Sequence, residues 1–268
     1  MRNLKIAIIQ MEIIDGNKEV NLNRALDLLE SIAAKPDLPD IVCFPELFTT
    51  GYDLKKVGDY AEEIPGMTTE MIKKISMGKF IVIGTILEKK ANGYYNTAFI
   101  LGKNGDLIGL YRKTHLFSPM EEKEFLLPGK SMDVFSLNDL GGLKIGLAIC
   151  YDLRFPEIFR LMTLDGADII FIPSEFPEPK RKIWKTLLRA RAIENQCYII
   201  GINRVGKGKK FDFFGYSLIT NGDILEHLGN RSEIKVFSLD LDTLKPIRES
   251  IPLLSDRRTD LYEIIKKY

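Results

Sequence analysis

The hydrophobic pattern changes period along the chain. Residues 4–10 (LKIAIIQ), 40–46 (DIVCFPE) and 79–86 (KFIVIGTI) are short continuous apolar runs rich in Ile and Val, as expected of strands buried on both faces. Between the first two, KEVNLNRALDLLESIAA sets Leu22, Leu26, Leu29 and Ala33 at helical spacing against a charged face, and Pro36 closes the segment. This predicts a β-α-β unit. A second follows: residues 144–150 (KIGLAIC), a helix in PEIFRLMTLDG opened by Pro156 and closed by Gly166, then residues 167–173 (ADIIFIP). Residues 181–196 (RKIWKTLLRARAIENQ) continue as a helix and residues 197–203 (CYIIGIN) as a buried strand.

Asn-Gly pairs at Asn92-Gly93, Asn104-Gly105 and Asn221-Gly222 tolerate the positive φ of a tight turn, so hairpins interrupt the parallel pattern. The expected class is α/β: mixed sheets with helices outside. No Pro-, Gly- or Ser-rich linker divides the 268 residues, which read as one domain (1–268) with a polar C-terminal tail from about Ser255.

Composition removes several function classes. With 45% hydrophobic and 28% charged residues the chain has ample material for a core. Its 38 Lys and Arg balance 37 Asp and Glu, a net charge of +1 that gives no footprint for nucleic acid or an anionic membrane. The N-terminal apolar run stops at Gln10, before Glu12 and Asp15, and reads as a strand rather than a leader. No run approaches the roughly 20 apolar residues of a membrane span. The 3 cysteines, Cys43, Cys150 and Cys197, have no disulfide or zinc spacing, so no metal is expected and the cytoplasm is the expected compartment.

Cys150 ends a buried strand just before CYDLRFPE turns into a helix, where open α/β sheets place reactive groups. It is either a nucleophile or a small buried hydrophobe; Cys43 and Cys197, inside apolar runs, read as core. A thiol needs a base, and the chain has 2 histidines. His227 follows a turn and reads as a surface residue, and His115 in YRKTHLF as a structural hydrogen-bonder. A carboxylate base is the alternative. Glu46, after DIVCFP, lies at the same expected sheet edge, either as a base desolvated by apolar walls or as a solvated strand end. Lys113 ends the second strand of the Asn104-Gly105 hairpin. It is one lysine among many, or an ammonium that favours a thiolate and holds an oxyanion.

Taken together, FPELFTTGY, YRKTHLF and CYDLRFPE resemble the nitrilase or carbon-nitrogen hydrolase superfamily, in which a Glu-Lys-Cys triad occurs in this order at similar spacing. The resemblance runs through WKTLLRARAIENQCYIIGINRVG to FFGYSLITNGDIL. It implies Glu46 as general base, Lys113 as oxyanion-binding lysine, Cys150 as nucleophile and the Tyr151 backbone N–H as second oxyanion donor. It also implies a second glutamate in FSPMEEKEFLLPG; of Glu121, Glu122 and Glu124, Glu122 matches best, to position Lys113 or the leaving group, against a reading as an exposed acidic loop. The implied fold is a four-layer α-β-β-α sandwich, assembled as a homodimer or higher homo-oligomer, without a cofactor and acting on a small-molecule amide and water.

CYDLRFPE with RARAIENQ resembles the ω-amidase branch, which hydrolyses the terminal amide of short dicarboxylic monoamides such as 2-oxoglutaramate. Arg154 stands where such relatives hold the substrate carboxylate, a contact suited to a guanidinium, or else it pairs with Asp152 or Glu157. Tyr52, Glu175 and Trp184 are candidates to wall the pocket. An N-carbamoyl-amino-acid amidohydrolase or a nitrilase on the same triad is the alternative, although nitrilases usually carry Trp-Glu where Tyr151-Asp152 stands. A catalytically idle scaffold would have no need to keep all three triad residues.

Overall fold

Continuous Ile- and Val-rich runs form the centres of two facing sheets. The computed structural model describes residues 3–261. Strands are β1 (Asn3–Gln10), β2 (Ile41–Cys43), β3 (Ile81–Lys90), β4 (Gly93–Leu101), β5 (Leu107–Arg112), β6 (Val134–Leu137), β7 (Leu143–Leu147), β8 (Ile169–Ser174), β9 (Tyr198–Asn203), β10 (Val205–Lys207), β11 (Asp212–Phe214), β12 (Leu218–Thr220), β13 (Ile224–His227) and β14 (Glu233–Asp240). Helices are α1 (Lys18–Ala33), α2 (Val57–Tyr60), α3 (Met67–Ser76), α4 (Glu122–Phe125), α5 (Pro156–Leu164), α6 (Arg181–Asn195) and α7 (Leu244–Ser250). Among the described residues, two six-stranded sheets run β14-β1-β2-β3-β4-β5 and β13-β12-β9-β8-β7-β6, and β10-β11 forms a separate ribbon.

Alternation along each strand builds the layers. In the first sheet Ile6, Ile8, Ile41, Cys43, Ile81 and Ile83 face the second sheet and share one apolar cluster with Ile145, Leu147 and Ile172. Their neighbours Ala7, Ile9, Val42 and Val82 face the other way, onto Ala25, Leu29 and Ile32 of α1 and Ile72 of α3. Phe159 of α5 and Trp184 and Leu188 of α6 cover the second sheet. The result is the α-β-β-α sandwich. A fully buried Ile contributes about 1.5–3 kcal/mol, and a one-residue slip of β1 would turn Lys5 into the core, so its register is fixed.

β1-β2-β3 and β7-β8-β9 are parallel, while β3-β4-β5 are joined antiparallel by the Asn-Gly hairpins. The segments after β1, β2, β5, β7, β8 and β9 therefore emerge at the ends where both sheets deliver their chemistry.

Several boundaries differ from the pattern. The run 40–46 yields only the three-residue β2, because Pro45 has no N–H to give a neighbouring strand and the chain turns at Glu46 and Leu47. Cys150 does not end a strand: β7 stops at Leu147, and Cys150 opens a five-residue 3-10 helix. β14 was not legible in the hydrophobic pattern and pairs antiparallel with β1 over eight positions, from Asn3↔Asp240 to Gln10↔Glu233. The tail expected from Ser255 continues in turns to Leu261, and its remainder lies outside the described residues.

Candidate active site

Glu46 sits in the turn after β2, fully buried. The Leu47 N–H donates to Thr85 Oγ1 at 2.5 Å and the Phe44 N–H to the Ile83 carbonyl at 2.9 Å, so β3 fixes the turn on both sides of Glu46. Lys113 follows β5; its N–H donates to the Asn96 carbonyl at 2.9 Å, and its side chain is almost wholly buried. Glu122 opens α4, also buried, with Oε2 accepting the Phe117 N–H at 2.6 Å.

These three side chains meet. Lys113 Nζ lies 2.8 Å from Glu46 Oε1 and 2.9 Å from Glu122 Oε1. The Asn96 amide donates to the same two oxygens, at 2.8 and 3.2 Å. The Tyr52 hydroxyl stands 2.6 Å from Glu46 Oε1 and 2.9 Å from Glu122 Oε1, and accepts from Lys113 at 3.1 Å. Its single proton serves one carboxylate at a time. Asn96 escaped sequence reading because it interrupts an otherwise apolar strand without a motif around it. Glu121 points outward to Lys210 at 2.8 Å and Glu124 is exposed, so Glu122 is the glutamate of FSPMEEKEF that reaches Lys113.

Burial disfavours each isolated charge here, and pairing decides the outcome. For Lys113, desolvation opposes the ammonium, but the Glu122 and Glu46 carboxylates outweigh it and hold its pKa above the usual lysine value. Burial pushes Glu122 up, against Lys113, and Glu46 adds to the rise. Burial first, then Glu122 and Glu46, keeps the Tyr52 hydroxyl protonated.

Cys150 is 6% exposed and holds φ +43°, a left-handed conformation that a non-glycine residue keeps only when its surroundings impose it. Buried Asp152 does the imposing. One oxygen accepts the Ile149 N–H at 2.9 Å and the Tyr111 hydroxyl at 2.7 Å; the other accepts the His115 N–H at 3.0 Å and the Thr114 hydroxyl at 3.1 Å, with His115 Nδ1 at 2.8 Å. Tyr111, Thr114 and His115 flank Lys113, so Asp152 binds the Cys150 turn to the lysine's own segment. From α6, Arg191 donates to the Leu153 carbonyl at 3.1 and 3.0 Å and closes the far end of the 3-10 helix.

The Glu46 carboxylate and the Glu175 N–H, bonded to each other, lie beside the Cys150 thiol. Desolvation, then the Glu46 charge, pushes its pKa well up, with Lys113 and the Glu175 N–H pulling back. The resting sulfur is thus a neutral thiol. Glu46 can take the thiol proton while Lys113 supplies positive charge beside the sulfur.

The other candidates are scattered around this centre. Tyr151 packs its ring on Phe117 (4.8 Å) and Phe155 (5.3 Å). Arg154 is half-buried over the Phe176 ring at 5.7 Å and has no ion pair among the described residues. The reading that ties it to Asp152 is displaced by the five contacts that Asp152 already makes. Glu175 turns its carboxylate away to Arg204 (2.7 Å), while its N–H faces Glu46 Oε2 at 2.8 Å. Trp184 is no pocket wall: it lies fully buried under β9, against Phe176, its indole N–H donating to the Tyr216 carbonyl at 2.9 Å. An apolar α6 face reads the same whether it covers a sheet or a pocket, so the sequence did not separate the two.

His115 stacks on Phe155 at 3.7 Å besides bonding Asp152, and His227 is exposed against Tyr216. Cys43 and Cys197 are free, buried thiols, and burial pushes the Cys197 thiol up to about 12. Among the described residues no group of three or more His, Cys, Asp or Glu could hold a metal ion, and no helix is long and apolar enough to cross a membrane.

Comparison with known proteins places the chain in one family. The carbon-nitrogen hydrolase family matches residues 5–249. A 2-oxoglutaramate amidase of Bacillus subtilis is 38% identical over 261 residues, spanning 96% of this chain and 98% of that protein. The omega-amidase NIT2 of Bos taurus is 34% identical over 280 residues, covering 100% of this chain and 99% of the relative. The crystal structure of Saccharomyces cerevisiae Nit3, a member of branch 10 of the nitrilase superfamily, superposes with a TM-score of 0.86 at 28% identity, over 96% of this chain and 97% of that one. The chain belongs to the carbon-nitrogen hydrolase family.

Proposed function

We propose that this enzyme is an ω-amidase, hydrolysing the terminal amide of short dicarboxylic monoamides such as 2-oxoglutaramate through a thioester on Cys150. Glu46 takes the thiol proton as sulfur attacks the amide carbon. The oxyanion that forms is held by the Lys113 ammonium and by the Tyr151 N–H, in the first turn of the 3-10 helix. Glu46 returns the proton to the leaving nitrogen, and ammonia departs. It then takes a proton from water, whose oxygen attacks the thioester, and the acid leaves as sulfur regains its proton. Glu122, with Tyr52 and Asn96, keeps Lys113 charged and pointed.

The observation that carries the amidase reading is the convergence of Lys113 on Glu46 at 2.8 Å and Glu122 at 2.9 Å beside a thiol whose neighbours include Glu46. The ω-amide reading is supported by Arg154, four residues past the nucleophile and without an ion pair among the described residues, free to hold a carboxylate with a planar fork. The names of the two similar amidases favour the same substrate class.

The test is a panel of succinamate, 2-oxoglutaramate, N-carbamoyl amino acids and nitriles, with ammonia assayed and the acyl-enzyme trapped for mass spectrometry. Preference for the ω-amides with an acyl group on Cys150 is expected; turnover confined to carbamoyl or nitrile substrates would reassign the branch. We further propose one domain over residues 1–268, a cytoplasmic location suited to three free thiols, and a homodimer, against which sedimentation as a 30.5 kDa monomer would count.

A further inference from the structure

We propose that Arg204 and Asp15 form a buried clamp on Glu175 that fixes the Glu175 backbone N–H against Glu46 and the Cys150 thiol, which makes Arg204 a positioning residue for the reaction. The inference rests on the roles given above to Cys150 and Glu46.

The Glu175 N–H follows β8 and donates to Glu46 Oε2 at 2.8 Å; the same N–H is a neighbour of the Cys150 sulfur. A backbone donor is only as well placed as its peptide plane. Here the plane is gripped by the two residues at the end of β9. The Arg204 N–H donates to the Ser174 carbonyl at 3.2 Å. The Asn203 side chain accepts the Phe176 N–H at 2.7 Å and donates to the Phe176 carbonyl at 3.0 Å. The Arg204 guanidinium takes Glu175 Oε2 at 2.7 Å. With its flanking groups and its carboxylate held on the β9 side, Glu175 presents its N–H to the site.

Arg204 is itself anchored on the opposite side. It is fully buried, donates to Asp15 Oδ1 at 2.8 Å and to the Ile13 carbonyl, and lies over the Phe213 ring at 4.2 Å. Asp15 in turn backs the turn that carries Glu46: a Cβ on Gly51 would come within 2.2 Å of Asp15 Oδ1, and the Gly16 N–H donates to the Thr50 carbonyl at 2.7 Å. One guanidinium thus sets the turn after β8 relative to the turn after β2, where the acceptor and the donor of the 2.8 Å bond reside.

The charge count fits a clamp. Burial raises the Glu175 pKa well above the usual carboxyl value, with Arg204 opposing, and Glu175 Oε1 has no hydrogen-bond partner among the described residues. A proton on Glu175 leaves Arg204 balanced by Asp15 alone.

The groups around the sulfur are Glu46 and Tyr52 from the turn after β2, Lys113 after β5 and the Glu175 N–H after β8, with Glu122 of α4 behind Lys113. Of these, the clamp grips Glu175 directly, through its carboxylate, and reaches Glu46 only through the contact of Asp15 with its turn. The experiment measures kcat, KM and the pH profile of Cys150 alkylation by iodoacetamide, with Tm alongside, in Arg204→Lys, Glu175→Ala and Glu175→Gln. Arg204→Lys cannot reproduce the fork; kcat should fall about 10- to 100-fold with KM changed less than about threefold, as for a donor moved but not removed. The alkylation midpoint should rise, because the thiolate loses an N–H. Glu175→Ala keeps the N–H but loses the handle, so it should move both readouts the same way, and Glu175→Gln should recover most of the loss. A lower Tm with kcat and the alkylation profile unchanged would overturn the proposal. If Arg204→Lys fails to fold, the two Glu175 variants decide between the same two outcomes. Failure of the underlying assignment shows separately, as turnover by Cys150→Ala.

Discussion

Two buried clusters, each of two carboxylates and one cation, meet at the Glu175 N–H, and they differ in which cation they use. In the first, Lys113 faces Glu46 and Glu122 at 2.8 and 2.9 Å. In the second, Arg204 faces Asp15 and Glu175 at 2.8 and 2.7 Å. An ammonium is a compact point charge on a flexible stem, able to turn a donor toward an oxyanion that exists only during reaction. A guanidinium is a rigid fork: Arg204 Nη1 donates to both carboxylates and Nη2 to the Ile13 and Lys207 carbonyls, bracing loops from both sheets. The same charge count therefore serves movement at one place and rigidity at the other.

The largest effect that separates the clusters is on kcat. Lys113→Met removes an oxyanion donor and should lower kcat by about 10² to 10³. Glu46→Gln should do at least as much, because an amide cannot take the thiol proton. Steady-state rates beside Arg204→Lys provide the check; equal losses for Lys113→Met and Arg204→Lys would erase the distinction.

Next comes a pH shift. Glu122 helps to hold the Lys113 pKa above its usual value, so the ammonium survives into alkaline solution. Glu122→Gln removes that support, the Lys113 pKa falls, and the alkaline limb of kcat/KM should move to lower pH. An unmoved limb in the pH–rate profile would mean that Glu122 does not sustain the charge.

Arg154 is a third cation, without an ion pair among the described residues, and extends the comparison to the substrate. Arg154→Lys should cost succinamate about tenfold more in kcat/KM than an uncharged amide of equal length, or about 1.4 kcal/mol of differential transition-state binding. Equal losses on both substrates would make Arg154 structural.

The smallest effect belongs to Cys197, buried outside both clusters. Burial raises its folded pKa to about 12, above an unfolded value of about 8.5. Its neutral thiol thus contributes fully below that unfolded value, and the contribution is lost as pH rises from there toward the folded pKa. Between pH 7 and 10 the urea midpoint should fall more in the native chain than in Cys197→Ala; parallel falls would contradict the assignment.

The same contrast separates what the sequence could reveal from what it could not. Glu46, Lys113 and Cys150 stand in local patterns, each just after an apolar strand, and the structure brings them to one place because those strands end on the same side of the sandwich. Glu122 was legible only through the family resemblance, which implies a second glutamate after the lysine. Arg204 was not: its partner Asp15 is 189 positions away, and nothing near either residue announces the pair. Asn96 was hidden within an apolar strand, and β14 by its one-sided burial as an edge strand, a weaker pattern than the all-apolar run of β1 that it joins. Strand ends were overdrawn where proline or a left-handed residue takes over, as at Pro45 and Cys150. Contacts of long sequence separation leave no periodicity.

Both clusters matter to catalysis only if Cys150 is the nucleophile, and ammonia release from succinamate by Cys150→Ala beside the native chain, with Tm confirming the fold, measures that. No other group in the site replaces a thiolate, so turnover should drop to background with Tm close to native. Ammonia release near the native rate would contradict the assignment of Cys150.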